Sequence, residues 1–285
     1  MPDSPDGDTA GGPDGGLPDE ARRAALLTAY DAQLRGAAEV QGSTGWDRSG
    51  PLWRGLFPDS GFVSYDSLED LGSIEAVDAL VGETVAFFAA HLEVSEFEWK
   101  TRGHDWPPDL DRILRAHGLE PEEVETVMVG EASSLAVDVD LPDAVSVRRV
   151  DHLPAPEREA VVREASAMQR EVFGGGPSGD QVLDRLTRMG EAETFWVAEA
   201  DGRVVSAGRL DEVEGTDFAG LWGGATLPQW RGHGIYRALT AARARYALSR
   251  GVGYLHSDCS PMSRPILERS GLVAVTTTTP YLWKR

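Results

Sequence analysis

A loop with two closely spaced glycines is the segment of this sequence best suited to bind a ligand. It runs from Pro228 to Ile235, reads PQWRGHGI, and lies between an apolar stretch and an amphipathic one. Gly232 and Gly234 let the backbone approach a ligand without a Cβ atom in the way. The helix expected after the loop directs unpaired N–H groups and the positive end of its dipole toward that ligand. The pattern therefore predicts a site for an anion, and its shape suits a pyrophosphate.

Other interpretations of this loop can be weighed against its neighbours. Any turn between a strand and a helix can contain Gly-x-Gly for structural reasons alone. A dinucleotide fingerprint needs a third small residue three positions after Gly234, where Arg237 stands, and an acidic ribose partner that is missing at the expected distance. A Walker loop needs a Gly-Lys-Ser or Gly-Lys-Thr string, which the sequence lacks. The dinucleotide and Walker classes are excluded, and the purely structural turn stays open.

The loop resembles the acyl-CoA pyrophosphate loop of the GNAT acyltransferases, whose pattern Gln/Arg-x-x-Gly-x-Gly/Ala is matched by Gln229, Gly232 and Gly234. The flanking segments follow the element order of that family's second half, namely an apolar strand at 218–227, an amphipathic helix, a strand at 254–258 and a short helix capped by Gly271. The resemblance covers residues 145–285 and is strongest over 221–272.

The resemblance implies a mixed α/β (α+β) fold, in which a central twisted sheet is flanked by helices. It also implies acetyl-CoA, or another acyl-CoA, as cosubstrate, and direct attack of a small-molecule amine on the thioester without a covalent enzyme intermediate. Main-chain N–H groups at the end of the splayed central strand would bind the pantetheine and polarise the thioester carbonyl. The residues that the resemblance places at the cofactor are Thr226, Leu227, Gln229, Arg231, Gly232, His233, Gly234, Ile235, Tyr236 and Ser260. Ser260 stands where the family often has an Asn, and a helix N-cap before Pro261 is its alternative role.

The general base departs from the family pattern, because many relatives place a carboxylate on the central strand and residues 221–227 contain none. Asp258, near the end of the next strand, is the nearest candidate by sequence, with Glu199 and Glu212 more remote. A surface or helix-capping role for Asp258, or a water chain in its place, stays open. Trp196 and Trp222, which we expect on adjacent strands, are candidates either for the wall of the acceptor pocket or for the core.

The general acid departs from the family pattern as well. The Tyr that relatives carry in the helix before Gly271 is replaced by Leu267. A thiolate with a pKa near ~8.5 can leave without strong assistance, so this loss weakens the reaction without abolishing it. Tyr281, Ser263 or solvent could supply the proton, and the sequence does not choose among them.

Length and composition predict two domains, since 285 residues exceed the usual size of a single core. We place a disordered, acidic, Gly/Pro/Asp-rich tail at 1–20, a first domain at 21–144 and a second at 145–285. Hydrophobic patterning predicts helices at 24–34, 73–91, 107–118, 156–173 and 180–188, and strands at 61–65, 96–101, 124–129, 145–148, 194–199 and 203–210.

An internal echo connects the two predicted domains. Residues 113–119 read ILRAHGL and residues 266–272 read ILERSGL, each after a helix, a strand and a Pro-bearing turn. The repeated order indicates a degenerate GNAT-like unit ahead of the second one. No Gly-x-Gly loop precedes the helix that begins near Ser73, so we expect a single working cofactor site. This arrangement resembles that of several bacterial acyltransferases, including the mycothiol-synthase type.

Charge is distributed unevenly along the chain. Residues 1–144 hold 30 acids and 9 bases, a balance of −21, whereas residues 145–285 hold 17 acids and 18 bases, a balance of +1. Residues 221–285 alone hold two acids and nine bases, a balance of +7. This local excess fits a polyanionic coenzyme, and a solvated basic face is its alternative explanation.

Several classes of protein are disfavoured by composition. The net charge of −20 argues against nucleic acid as a partner. No apolar run has membrane-spanning length, and the first twenty residues hold six acids and no base, unlike a signal peptide. Cys259 is the single cysteine, which excludes an internal disulfide, and the six histidines show no metal-ligand spacing. We expect a cytoplasmic monomer or homodimer without a metal.

The sequence therefore favours an acyl-CoA-dependent N-acyltransferase acting on a small amine. A non-catalytic acyl-CoA-binding or interaction protein of the same fold is the alternative, since the missing Tyr and the missing strand carboxylate would then reflect lost chemistry. Binding of the coenzyme through the loop is common to both.

Overall fold

The computed structural model describes residues 19–285, which fold around one twelve-stranded mixed sheet flanked by helices. This confirms the predicted mixed α/β class. The predicted tail at 1–20 lies outside the described residues except for Asp19 and Glu20, which begin the first helix. None of the described helices is both long enough and apolar enough to cross a membrane.

The first half of the chain, residues 19–144, supplies one end of the sheet. Its elements are α1 (Asp19–Leu34), β1 (Gly45–Ser49), β2 (Leu52–Leu56), β3 (Ser60–Tyr65), α2 (Ile74–Ala90), β4 (Glu96–Arg102), α3 (Leu110–Ala116), β5 (Glu120–Pro121), β6 (Glu125–Glu131) and α4 (Ala132–Leu135), with short 3-10 helices at Gly36–Val40 and Glu69–Leu71. The Ser73 hydroxyl caps α2 by accepting a hydrogen bond from the Ala76 N–H, as expected of Ser at an N-cap.

The second half, residues 145–285, supplies the other end. Its elements are β7 (Val145–Arg149), α5 (Ala155–Phe173), α6 (Gly179–Met189), β8 (Glu193–Ala200), β9 (Arg203–Glu212), β10 (Phe218–Thr226), α7 (Ile235–Ser249), β11 (Tyr254–Cys259), α8 (Arg264–Ser270) and β12 (Val273–Lys284), with 3-10 helices at Gly190–Ala192 and Pro228–Trp230. Every element predicted from hydrophobic patterning is present in the two halves. The β1–β2 hairpin and β12 were not predicted.

The two halves exchange strands in the middle of the sheet. The strand order is β1-β2-β3-β4-β12-β6-β11-β10-β9-β8-β7, with β5 also pairing with β12. Thus β6, from the first half, lies between β11 and β12 of the second half, and β12 runs on to pair with β4. Backbone hydrogen bonds join the two halves into one sheet. The domain boundary predicted between residues 144 and 145 therefore stays a prediction.

The halves nevertheless repeat one order of elements. In the first, β3 and β4 are parallel neighbours joined by α2 and followed by α3; in the second, β10 and β11 are parallel neighbours joined by α7 and followed by α8. In the first half Tyr65, the last residue of β3, and Leu68 are buried, and the Tyr65 hydroxyl donates a hydrogen bond to Asp105 at 2.6 Å.

Candidate functional site

The central strands of the second half separate where a ligand could enter. β10 and β11 pair in parallel from Phe218 only as far as Gly220, opposite His256. Beyond this pair, Ser257 Oγ donates to the Leu221 carbonyl at 2.9 Å in place of a backbone bond. An irregularity in the pairing of β10 with β9 follows at once, where Gly223 has φ +61°, a backbone conformation that favours glycine. The end of β10 thus turns away from β11 and leaves an opening.

The glycine loop connects the end of β10 to α7. Gly232 (φ +81°) and Gly234 (φ +75°) both occupy the left-handed region, and nothing lies within 4 Å of a Cβ built at Gly232. Among the described residues, no backbone or side-chain hydrogen bond uses the N–H groups from Gly232 through Arg237. The last three of these belong to the first turn of α7, where such groups lack helical partners. The loop therefore presents six consecutive free donors.

A cavity of about 640 Å³ adjoins these donors, and we call it the loop cavity. It is lined by Val172, Phe173, Gly224, Ala225, Thr226, Trp230, Arg231, Gly232, Gly234, Ile235, Tyr236, Arg237, Met262, Ser263, Ile266, Arg269 and Ser270. Its charged lining residues are three arginines, at 231, 237 and 269, without a carboxylate. Free main-chain donors, guanidinium groups and apolar walls together suit a ligand that carries phosphates on an otherwise less polar body.

A second cavity, of about 350 Å³, lies between the two halves, and we call it the inter-half cavity. It is lined by Tyr30, Leu34, Ala38, Glu39, Gln41, Phe62, Lys100, Arg185, Met189, Arg209, Asp211, Glu212, Val213, Trp222 and His256. Trp222 lines this cavity and Gly224 lines the loop cavity, and the two residues flank Gly223 on β10. Both cavities therefore reach the same irregular part of one strand.

Two acids and two arginines form a cluster beside the inter-half cavity. Arg185 donates through Nε to Glu193 and through Nη2 to Asp211 at 2.9 Å. Arg209 Nε lies 3.6 Å from Glu193 Oε1 and 3.8 Å from Asp211 Oδ1. Burial raises the pKa of Asp211 to about 6, with Arg209 opposing this rise and Glu193 adding to it. Asp211 is thus a carboxylate with a pKa close to neutral pH, a property common at sites of proton transfer.

The segment that forms the glycine loop and most of the loop cavity matches a known protein family. The acetyltransferase (GNAT) family model matches residues 160–265, which contain β10, the glycine loop and most of the loop cavity. Aminoglycoside N(6')-acetyltransferase type 1 of Stenotrophomonas maltophilia is 33% identical over an alignment of 111 residues that covers 35% of this chain and 72% of the relative. The chain belongs to the GNAT acetyltransferase family.

Solved GNAT structures share the fold over nearly the whole chain. A tandem GNAT protein from the clavulanic acid biosynthesis pathway has a TM-score of 0.61 at 14% identity, covering 93% of this chain and 96% of its own. A GCN5-related N-acetyltransferase from Kribbella flavida has a TM-score of 0.60 at 18% identity, covering 91% of this chain and 94% of its own. The GNAT likeness of the fold therefore extends into the first half, beyond the segment matched by the family model.

Of the predicted cofactor residues of this GNAT chain, six line the loop cavity, and four, Leu227, Gln229, His233 and Ser260, do not. Gln229 and His233 are exposed and do not line the loop cavity; His233 Nδ1 lies 2.9 Å from the Arg231 carbonyl. Ser260 also lies outside that lining, and its carbonyl accepts from the N–H groups of Ser263 and Arg264. Ser263, which sequence reasoning considered only as a proton donor, lines the cavity instead.

The main-chain donors at the end of β10 also need a correction. The Leu227 N–H donates to the Val205 carbonyl of β9 at 3.0 Å, so it is already bonded within the sheet. Successive N–H groups of an antiparallel strand point to opposite sides, so the Thr226 N–H points away from β9 and into the opening. Of the two N–H groups, only that of Thr226 is directed away from β9.

The two predicted catalytic residues are each bonded to a residue of the first half. Asp258 is buried and forms an ion pair with Lys100, whose Nζ is 2.6 Å from Oδ2. Burial acts to raise the pKa of Asp258, but Lys100 and His256 outweigh it and lower the pKa overall, so this carboxylate is a poor proton acceptor. Tyr281 is in the hydrophobic core of the first half, where its hydroxyl donates to Asp111 at 2.8 Å. It does not lie at either cavity.

Tyr236 was predicted to act only through its main-chain N–H, but its side chain also lies at the loop cavity. The Tyr236 ring packs against the irregular part of β10, so that a Cβ atom built on Gly224 would lie 2.8 Å from its hydroxyl oxygen. Burial raises the pKa of this phenol, against an opposing effect of Arg243. Leu267, which replaces the family's usual Tyr, is buried in the core between α7, α8 and the sheet. No local pattern in the sequence indicates that the Tyr236 ring packs on Gly224, because the contact joins residues of two different elements, β10 and α7.

The two tryptophans considered for the acceptor wall have separate roles. Trp222 lines the inter-half cavity, with its ring 5.4 Å from that of His256. Trp196 lies on β8, which β9 separates from β10, so the two tryptophans are not on adjacent strands as expected; it donates to Thr194 Oγ1 at 2.9 Å and packs on Tyr246 of α7. Within residues 19–285, no group of three or more His, Cys, Asp and Glu side chains is arranged to hold a metal ion.

Proposed function

We propose that this protein is an acyl-CoA-dependent N-acyltransferase that moves an acyl group, most simply acetyl from acetyl-CoA, to the amine of a small molecule. The observation behind the proposal is the meeting of two cavities at one irregular segment of β10. One is lined by free N–H groups and arginines, and the other by a carboxylate with a raised pKa. The aminoglycoside acetyltransferase relative supports N-acetyl transfer as the reaction.

The acyl donor would be held chiefly by the main chain. The six free N–H groups from Gly232 through Arg237 would bind the pyrophosphate, assisted by the N-terminal end of α7. Arg237 and Arg269 would add charge-assisted hydrogen bonds from the cavity wall. The Thr226 N–H would polarise the thioester carbonyl. Arg231 is partly committed, because its Nε donates to the Thr226 carbonyl at 3.1 Å.

The transfer itself needs two proton movements. The amine nitrogen attacks the thioester carbon, a C–N bond forms, and the C–S bond breaks to release the thiolate. An amine with a pKa near ~10 must lose a proton first, which costs about 4 kcal/mol at pH 7 unless a base assists. We infer that Asp211 accepts this proton, and that the Tyr236 hydroxyl donates its proton to the leaving sulfur while its oxygen takes up the second proton of the attacking nitrogen. The products are an amide and the free thiol of coenzyme A.

The first half would contribute by lining the inter-half cavity, where the acceptor amine would bind. We also propose that residues 21–144 are a degenerate second GNAT unit without a coenzyme site, in which Tyr65 and Leu68 occupy the opening. Glu39 and Lys100 of this half line the inter-half cavity. The acceptor would then contact both halves, and the donor mainly the second.

The loop assignment is tested with Gly232→Glu. A side chain at φ +81° is strained, and its carboxylate would repel phosphates. Gly251→Glu is the matched control, because Gly251 has φ +85°, equally open surroundings and a position at the far end of α7. Calorimetric titration with coenzyme A should show affinity lost in Gly232→Glu and kept in Gly251→Glu. Equal affinity in both variants would contradict the loop assignment.

Catalysis is tested separately by thiol release from acetyl-CoA across a broad panel of amines. Turnover by the wild type supports the transferase. Binding of coenzyme A without turnover for any amine would favour the non-catalytic binding protein, the alternative that the replacement of the family's Tyr by Leu267 suggests.

A further inference from the structure

The wall of the inter-half cavity contains equal numbers of opposite charges. Its three acids are Glu39, Asp211 and Glu212, and its three bases are Lys100, Arg185 and Arg209. A polycationic ligand would bring positive charge to a wall that has no excess of acids. A ligand that carries one charge of each sign would match it.

Unsatisfied polar atoms concentrate at this wall. Among the described residues, eight buried side-chain nitrogen and oxygen atoms have no hydrogen-bond partner, and five of them belong to the wall or to residues directly behind it: Glu193 Oε1, Arg209 Nε, Asp211 Oδ1, His256 Nδ1 and Asp258 Oδ1. Leaving such an atom unpaired costs about 1–3 kcal/mol. Five in one place show that this wall is polar and incompletely paired.

Arg209 is the cation of this wall with the most free donors. Arg185 is committed to Glu193 and Asp211, and Lys100 to Asp258 and Glu39. No hydrogen bond within the described residues uses the Arg209 side chain, whose nearest carboxylate oxygens are 3.6 and 3.8 Å away. Its side chain is 18% exposed, so its guanidinium is mostly desolvated and held near Asp211. A planar anion such as a carboxylate is the group that a guanidinium binds best.

We propose that the acceptor is a small zwitterionic amine, of the amino-acid class, whose carboxylate binds Arg209 while its amine lies between Asp211 and the opening beside Trp222. This rests on the proposed function, since it names the acceptor class for that reaction. The cavity size of about 350 Å³ suits such a ligand, being at the small end for ligand pockets. Tyr30, Phe62 and Trp222 supply apolar wall for its side chain.

The test compares amines that differ only in the anionic group. Thiol release from acetyl-CoA is measured with serine and serinamide, with phenylalanine and phenylalaninamide, and with spermidine as a polycation. The wild type should prefer each free acid over its amide by roughly 10- to 100-fold in kcat/KM, the range for a hydrogen bond to a charged group. Arg209→Gln should bring that ratio close to one. Arg188→Gln, an exposed residue on α6, should keep the wild-type ratio.

The outcomes separate this inference from the proposed function. Turnover that prefers the amides or spermidine, or a preference for acids that Arg209→Gln retains, overturns the inference and leaves the transferase intact. If no amine gives turnover although coenzyme A binds, the transferase fails, and thermal stabilisation by serine and phenylalanine then decides the inference. Stabilisation of the wild type but not of Arg209→Gln supports an anion site, whereas equal stabilisation of both, or of neither, overturns it.

Discussion

Lys100 and Asp258 form a buried ion pair that joins the two halves of the chain. Lys100 is on β4 and Asp258 on β11, with β12 and β6 between these strands in the sheet, yet Nζ and Oδ2 are 2.6 Å apart. The two side chains therefore meet across the two strands that lie between their own strands in the sheet order. Glu39 joins them there at 3.4 Å from Nζ. Lys100 lines the inter-half cavity, so the pair holds the two halves in position at the place where the acceptor is proposed to bind.

Asp258→Asn should destabilise the protein, because Lys100 would keep its buried charge with only Glu39 as partner. Breaking one side of a buried pair costs about 3–5 kcal/mol, and the remaining Glu39 should hold the loss near 3 kcal/mol. Urea unfolding at pH 7 measures it, with the exposed Asp184→Asn as control. The pKa of Asp258 is lowered in the folded protein, so its contribution is complete above the unfolded pKa of about 3.9 and is lost as pH falls below that value. The difference in stability between the two proteins should therefore shrink as pH falls below that value, and a difference that stays constant would contradict the ion pair as its cause.

Asp211→Asn should remove the acidic limb of the pH profile. As a base, Asp211 must be ionised, and its pKa of about 6 means that the wild-type rate should rise with pH through 6 and then level off. Asn cannot accept the proton, so kcat should fall by about 100-fold or more while the affinity for coenzyme A is unchanged. Steady-state rates from pH 5 to 9 check both points. An Asp211→Asn enzyme that retains the limb near pH 6 would show that another group titrates there.

Tyr236→Phe should slow the release of the thiol without weakening coenzyme binding. The leaving thiolate has a pKa near 8.5 and needs limited help, so we expect a loss in kcat of about 10- to 100-fold, the low end for acid–base catalysis. Tyr246→Phe, on the same helix and packed against Trp196, is the control and should stay near wild type. The measurement is kcat with acetyl-CoA together with calorimetric affinity for coenzyme A. Equal rates in the two variants would remove Tyr236 from the mechanism.

The loop cavity, where we propose that the coenzyme binds, could be predicted from sequence because it is built locally. The conformation of the loop depends on Gly232 and Gly234, and its donors are free because they begin a helix, so a dozen consecutive residues contain the required information. Helices and strands with a clear apolar period were predicted for the same reason. The Leu227 amide was misjudged because its bond to Val205 depends on the register of two strands.

The acceptor side could not be predicted, because its residues come together only through strand exchange. Asp258 was considered as a base, and its true partner, Lys100, lies 158 residues away in the chain. Tyr281 was expected near the thioester, but β12 runs on from β6 to β4 and takes it into the core of the first half. A pattern of local hydrophobicity holds no information about which strand becomes the neighbour of another.

Gly220→Ala should weaken the acceptor site while sparing the coenzyme site. The Trp222 indole folds back over Gly220, so a Cβ atom there would lie 2.2 Å from the indole nitrogen and the ring would have to move. Trp222 lines the inter-half cavity, and the loop cavity has no contact with Gly220, so KM for the amine should rise about 10-fold with little change in the affinity for coenzyme A. Gly253→Ala is the matched control, because its Cβ would meet only a backbone oxygen at 3.9 Å. A rise in the KM for acetyl-CoA alone would show that Trp222 serves the donor instead, and would relocate the acceptor away from this cavity.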